Sequence, residues 1–262
     1  MAAIGNKIVL ITGANQGVGY ETAKNLILSS ADYHVIIGSR DSTKGEAAVR
    51  ELLSTAGVKG TAEAVQLDVT DQASIERAMS SIESQHGRLD CLVNNAGVIS
   101  MANPPTTAAF RNVLETNVVG ALGVTEASLH LLKKGGGGGD DGKGPARLVF
   151  VTSSMGSITH ASNPDSPYYS PVGTEYKVSK AALNMLMAMY GARLRADVGD
   201  RVLVFGADPG LCATNLTRDA DSLRKRGAAE PSDGGERIAV VVRGEKDADA
   251  GKVLGVYGVS PW

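Results

Sequence analysis

The chain has 262 residues, 43% of them hydrophobic, with 26 Lys and Arg against 28 Asp and Glu for a net charge of −2. That length buries a full core without disulfides or metal, and the charge excludes the basic surface that nucleic acid or an anionic membrane requires. No stretch reaches the roughly 18–20 apolar residues of a membrane span, and the N-terminus lacks a signal peptide's apolar run and cleavage site, so a cytoplasmic protein is expected.

In chain order, residues 7–12 read as a short apolar strand that ends in a glycine-rich turn. Residues 19–29 have helical spacing, 34–38 form a second strand, 44–56 a helix, and 63–67 a strand. Asp71 opens a helix over 71–85, and 89–93 is a fourth strand. Residues 106–134 make one long helical pattern or two joined ones. Then come a strand at 147–152, a helix at 174–196, a strand at 201–207 and a last strand at 253–257. This alternation predicts a single α/β domain over 1–262, with about seven parallel strands covered on both faces in a Rossmann-type doubly wound sheet. Two stretches break the rhythm. Residues 135–144 carry the run of five glycines and read as a flexible surface loop, and 214–235 is charged and loop-like. Cys91 and Cys212 read as free thiols. The four histidines, at 34, 86, 130 and 160, show no metal-ligand spacing, so no metal is expected.

The segment after the first strand places Gly13, Asn15, Gln16, Gly17, Val18 and Gly19 at a strand-to-helix turn. Glycines there let backbone N–H groups approach a pyrophosphate, at the favourable end of a helix dipole. The spacing is Gly-x-x-x-Gly-x-Gly, and a bare structural turn is the alternative. The end of the second strand reads Gly38-Ser39-Arg40-Asp41. A short neutral Ser39 followed by Arg40 suits the 2′-phosphate of NADP, where NAD sites place an acidic residue. Asp41 is the dissenting residue, and NADP (NADPH) is expected over NAD.

With Leu67-Asp68-Val69-Thr70, Asn94-Asn95-Ala96-Gly97, Asn117, Ser153-Ser154, Tyr176-Lys177-Val178-Ser179-Lys180, and Pro209-Gly210 followed by Thr214, the chain resembles the short-chain dehydrogenase/reductase family over about residues 7–214. The resemblance is to its carbonyl-reductase-like, NADP-preferring members. It implies Asn117, Ser154, Tyr176 and Lys180 as catalytic residues. Tyr176 is then general acid in reduction and general base in oxidation, with Lys180 lowering a phenol pKa that is ordinarily near 10. Ser154 orients the substrate oxygen, Asn117 positions a proton relay behind Lys180, and Lys180 also holds the nicotinamide ribose. The same resemblance sets Asp68, Val69, Asn95, Ala96 and Gly97 against the adenosine. It sets Pro209, Gly210, Cys212 and Thr214 near the nicotinamide and phosphates, with Tyr176 and Lys180 also touching cofactor.

A second Tyr-x-x-x-Lys, at Tyr20 and Lys24, has no serine-bearing strand upstream and reads as structural. The 156–173 loop is longer than in many relatives and is expected to border the substrate, with His160 exposed. Residues 214–235 fall where the family keeps a mobile lid. Met185, Met187 and Met189 fit either a core or a subunit interface, and a homodimer or homotetramer stays open. The expected activity is NADP(H)-dependent reduction of a ketone or aldehyde on a small hydrophobic metabolite to an alcohol. The alternatives are a non-catalytic NADP(H)-binding sensor or scaffold, and an epimerase or dehydratase on the same fold.

Overall fold

The computed structural model describes residues 7–137, 144–217 and 219–262. Apolar runs with β-branched residues form the central strands, β1 (Lys7–Thr12), β2 (Tyr33–Ser39), β4 (Cys91–Asn94), β5 (Ala146–Val151) and β6 (Val202–Ala207). The more polar β3 (Thr61–Gln66) lies at an edge, and β7 (Val253–Gly255) and β8 (Gly258–Ser260) complete the sheet. The strand order is β3-β2-β1-β4-β5-β6-β7-β8, parallel throughout except for the β7–β8 hairpin. The reversal of order between β1 and β4 is the topological switch point at which doubly wound sheets open a crevice.

Strand alternation divides the core between two faces. Ile8 and Leu10 of β1 join one apolar cluster with Ile75, Ile82, Val124, Leu132 and Leu183. Val9 and Ile11 join the other with Ala23, Leu26, Leu52, Ile238 and Val241. The first face is covered by α3 (Gln72–His86), α5 (Gly120–Gly135) and α7 (Thr174–Val198). The second is covered by α1 (Gly17–Ser29), α2 (Ser42–Ser54) and α9 (Pro231–Arg243). Caps fix several helix starts. Asp71 accepts from the Ala73 N–H at 3.0 Å, and Thr106 accepts from the Ala109 N–H at 3.2 Å to open α4 (Thr107–Leu114).

The long pattern at 106–134 is α4 and α5 joined through a π-helical stretch, Glu115–Val119. The expected loop at 214–235 is instead partly helical. It holds a short 3₁₀ turn at Asn215–Thr217, α8 (Ala220–Lys225) and the first residues of α9. Pro231 opens α9, and the Asp233 carboxylate accepts from the Glu230 N–H at 3.3 Å. In the 156–173 stretch, Ser157 caps a short helix, α6 (Ile158–Ser162). His160 there is half-buried, bonded to Ser166 at 3.2 Å and packed on the Tyr168 ring, so it is less free than expected.

The methionines divide by role: Met187 is buried, while Met185 and Met189 are exposed. Cys91 is buried in the core, where desolvation pushes its thiol up to about 12. Tyr20 packs into the second cluster, as its structural reading required. Of the expected glycine loop, 138–143 lie outside the described residues. Gly135, the first of the run, ends α5 and touches β4's approach so closely that a Cβ would lie 1.8 Å from the Leu89 carbonyl oxygen. Gly135→Ala is therefore expected to destabilise the protein by about 1–3 kcal/mol or more, read as a lower urea midpoint with an unchanged m value.

Candidate active site

All the parallel strands end at one edge of the sheet, so the turns after β1, β4, β5 and β6 meet there. Thr12 ties the first two together. Its hydroxyl accepts from the Asn95 and Ala96 N–H groups at 3.0 and 2.9 Å, and the Asn95 amide donates to the Thr12 carbonyl at 2.8 Å. Gly13 stands at φ +63°, and a Cβ there would lie 2.9 Å from Ala96 Cα, so no larger residue fits this junction. Asn95 is thus partly a strut of the turn.

Beside this junction lies a cleft of about 870 Å³. Gly13, Asn15, Gln16, Gly17, Val18 and Gly19 line it, with Asp68, Val69, Asn95, Ala96 and Gly97 across from them. Arg40, Tyr176, Lys180, Pro209 and Thr214 line it as well. The start of α1 delivers uncapped backbone N–H groups, the donor set that a pyrophosphate takes. A cleft of this size with that donor set fits a dinucleotide.

Arg40 is exposed at the cleft. Asp41 is accounted for as the cap of α2, accepting from the Lys44 N–H at 3.1 Å. Ser39 departs from expectation. It is buried, its hydroxyl donates to the Asp41 carbonyl at 2.8 Å, and it is not among the residues lining the cleft. The reason is that Ser39 is still in the strand, facing inward, while Arg40 has already left it. Asp68 accepts from the Thr70 N–H and hydroxyl at 2.9 and 2.7 Å, which fixes its carboxylate at the cleft wall.

Tyr176 and Lys180 lie one turn apart on α7, with the ammonium 5.5 Å from the phenol ring centre. Lys180 donates to the Val151 carbonyl at 2.8 Å. Burial pushes Lys180 down to about 8, and the nearby Asp208 carboxylate pulls it partly back. Tyr176 does not follow the expected lowering. Burial first and the Asp208 charge second hold its pKa well above the ordinary phenol value, against the opposing effect of a hydrogen bond with Ser153.

That contact sets the two adjacent serines apart. Ser154 was expected to orient the substrate oxygen, but its hydroxyl and N–H both donate to Asp208 Oδ2, at 2.5 and 2.7 Å. Ser154 is buried, whereas Ser153 is half-buried and close enough to influence the Tyr176 phenol. Adjacent residues on an extended chain point opposite ways, so a shift of one exchanges the two hydroxyls. Asp208 was missed altogether. Its other oxygen accepts from the Gly210 N–H at 2.8 Å, so one buried carboxylate holds the turns after β5 and β6 together. Nothing in the Asp-Pro-Gly triplet alone signals that burial.

Asn117 sits in the π-helical stretch, an irregularity often found at functional positions. Its amide is engaged by the Val98 N–H and carbonyl at 2.8 and 2.9 Å and by the Ser179 hydroxyl at 3.0 Å. It therefore braces the turn after β4 against α7, one residue from Lys180. Cys212 is buried beneath the cleft, its thiol pushed up to about 11 by burial and pointed at the Pro209 carbonyl. Gly210, at φ +77°, takes the Asp208 contact, and neither Gly210 nor Cys212 is among the lining residues. Thr214, Leu216, Ala220 and Arg224 carry the cleft wall into the expected lid. No helix among the described residues is long and apolar enough to cross a membrane.

Comparison with known proteins agrees with this layout. The short chain dehydrogenase family model matches residues 7–225. The chain is 34% identical to the short-chain dehydrogenase/reductase tropE of Talaromyces stipitatus, over 95% of this chain and 94% of that protein. It is 35% identical to the short-chain dehydrogenase/reductase eupG of a Phoma species, over 97% of each. Its fold is similar to that of the NADPH-bound carbonyl reductase from chicken fatty liver, with a TM-score of 0.78 and 24% identity, covering 99% of this chain and 100% of that one. With an α/β sheet in the dinucleotide-binding order and a family match across most of its length, the chain belongs to the short-chain dehydrogenase family.

Proposed function

We propose that this protein is an NADP(H)-dependent oxidoreductase that reduces a ketone or aldehyde on a small hydrophobic metabolite to the alcohol, within one dinucleotide-binding and catalytic domain. The observation that carries the reading is that Tyr176 and Lys180 both line the cleft that begins at the glycine turn, with Ser153 beside the Tyr176 phenol. A reduced nicotinamide dinucleotide supplies the hydride. The protein's own residues hold and protonate the substrate oxygen. Tyr176 keeps its proton at neutral pH because burial and Asp208 disfavour the phenolate, which suits a proton donor in reduction. Ser153 offers a second hydrogen bond to the same oxygen. Lys180 is placed to hold the nicotinamide ribose and to offset negative charge as the phenol gives up its proton. Asn117 keeps the Lys180 segment in register.

Arg40 supports the NADP preference. It is the exposed cation at the end of β2, and Asp41 is occupied as a helix cap. Retained Tyr176 and Lys180 speak against a sensor without turnover. The carbonyl-reductase title of the chicken structure belongs to a protein only 24% identical, so it supports the fold and not the substrate. The test is oxidation of NADPH, and separately NADH, by the purified protein against a panel of ketones and aldehydes. Preference for NADPH is expected. Arg40→Ala is expected to weaken NADPH binding by roughly 10- to 100-fold while leaving NADH nearly unchanged, since a charge-assisted phosphate contact contributes about 1.5–3 kcal/mol. Equal loss for both cofactors would remove Arg40 from the 2′-phosphate.

A further inference from the structure

At the end of the sheet opposite the cleft, three side chains distant in sequence meet. His34 is the second residue of β2, Glu63 the third of β3, and His86 the last of α3. The parallel register pairs His34 with Thr61 and Ile36 with Glu63, so strand alternation brings His34 and Glu63 to the face covered by α3. The C-terminal turn of α3 brings His86 down onto them. Glu63 Oε1 lies 2.8 Å from His86 Nε2 and 3.6 Å from His34 Nε2. One donor atom from each of the three residues falls within 4.8 Å of the others. The imidazole rings stand 4.9 Å apart, tilted by 44°.

We propose that His34, Glu63 and His86 form a divalent transition-metal site, taking Zn²⁺, that fastens the edge strand β3 and the adjoining β2 to α3. Two imidazole nitrogens and one carboxylate oxygen are a recurring zinc donor set, with a water completing the tetrahedron. Bonds of about 2.0–2.2 Å place tetrahedral ligands about 3.3 Å apart. The observed 2.8 and 3.6 Å separations from Glu63 lie on either side of that value, and all three donor atoms fall within 4.8 Å, a spacing that side-chain adjustment can close onto one ion. The His34 and His86 side chains are 11% and 5% exposed, while Glu63 is 34% exposed, which leaves solvent access for the fourth ligand.

Two further features fit a ligand here. His34 Nε2 is buried without a hydrogen-bond partner of good geometry, so its lone pair is open to a cation. His34 Nδ1 is 2.8 Å from the Thr61 hydroxyl, the outer contact that fixes the tautomer of a ligating histidine and aims its other nitrogen. The linear spacing of 34, 63 and 86 carries no such signal. The site lies far along the strands from Tyr176, so its role is to brace the fold rather than to join the reaction.

The test is calorimetric titration of the full chain, freed of metal by a chelator, with ZnCl₂ at neutral pH. Saturable binding of one Zn²⁺ per chain is expected, with a rise in Tm and, for Co²⁺, the visible absorption of a low-symmetry four-coordinate ion. His86→Ala and Glu63→Gln are each expected to weaken binding at least tenfold. Thr61→Val is expected to weaken it roughly 10-fold through the outer contact alone. Circular dichroism of each variant establishes that it is folded, and Tyr176→Phe serves as a folded control with full binding. Absence of saturable binding overturns the proposal. So does stoichiometric binding that survives both His86→Ala and Glu63→Gln, because the metal then sits elsewhere.

Discussion

Replacing Tyr176 by phenylalanine is expected to lower kcat by about 10³-fold or more while changing NADPH affinity only a few-fold. The Tyr176 phenol lines the cleft, and general acid catalysis contributes roughly 10²–10⁴-fold. The aromatic ring fills the same space in the variant, so packing on α7 is retained. Turnover at the wild-type rate would remove Tyr176 from the reaction. The pH dependence follows from the same pair. Tyr176 is held above the ordinary phenol value, so its donor form persists through neutral and mildly alkaline pH. Lys180, pushed down to about 8 by burial, is charged below that pH and neutral above it. NADPH affinity of the free enzyme is therefore expected to fall as pH rises through about 8. Fluorescence titration of NADPH across that range measures it, and an affinity that rises there would contradict a ribose contact by the ammonium.

The two adjacent serines are expected to behave differently. Ser153→Ala is expected to cost roughly 10²–10³-fold in kcat, the usual loss for one donor to a developing oxyanion. Ser154→Ala is expected to cost chiefly stability, about 1–3 kcal/mol, because it strips a hydrogen bond from the buried Asp208 carboxylate. Its kcat should stay within several-fold of wild type, since the Ser154 N–H still holds Asp208 in place. Paired measurements of kcat and urea midpoint separate the two roles. The opposite pattern, with kcat lost at Ser154 and stability at Ser153, would return the substrate contact to Ser154.

The site was legible where function requires a residue type at a fixed offset along one element. Tyr176 and Lys180 are one helical turn apart, and the glycine turn joins a strand to a helix, so both patterns survive in the linear sequence. The position of Arg40 on the cleft wall was legible because it directly follows a strand. Ser39 and Ser154 were not, because a difference of one residue at a strand end decides between groove and interior. The helix α9 was also illegible from composition. Pro-Ser-Asp-Gly-Gly looks like a loop, yet Pro231 suits a first helical turn, and at Gly235 a Cβ would lie 2.6 Å from the Glu21 backbone of α1. The glycines there serve close helix packing, a constraint set by the partner helix and invisible locally.

By itself, the sequence determined the order of strands and helices, the parallel sheet that such an order permits, and the positions of the glycine turn and the Tyr176–Lys180 pair. Periodicity and short motifs are local, so they need no knowledge of distant residues. Tertiary structure alone decided which serine meets Tyr176, which carboxylate holds the two turns together, and that His34, Glu63 and His86 share one corner of the molecule. Those outcomes depend on register between strands and on where α3 and α7 land against the sheet. They are contacts across tens of residues, fixed by packing rather than by any spacing along the chain.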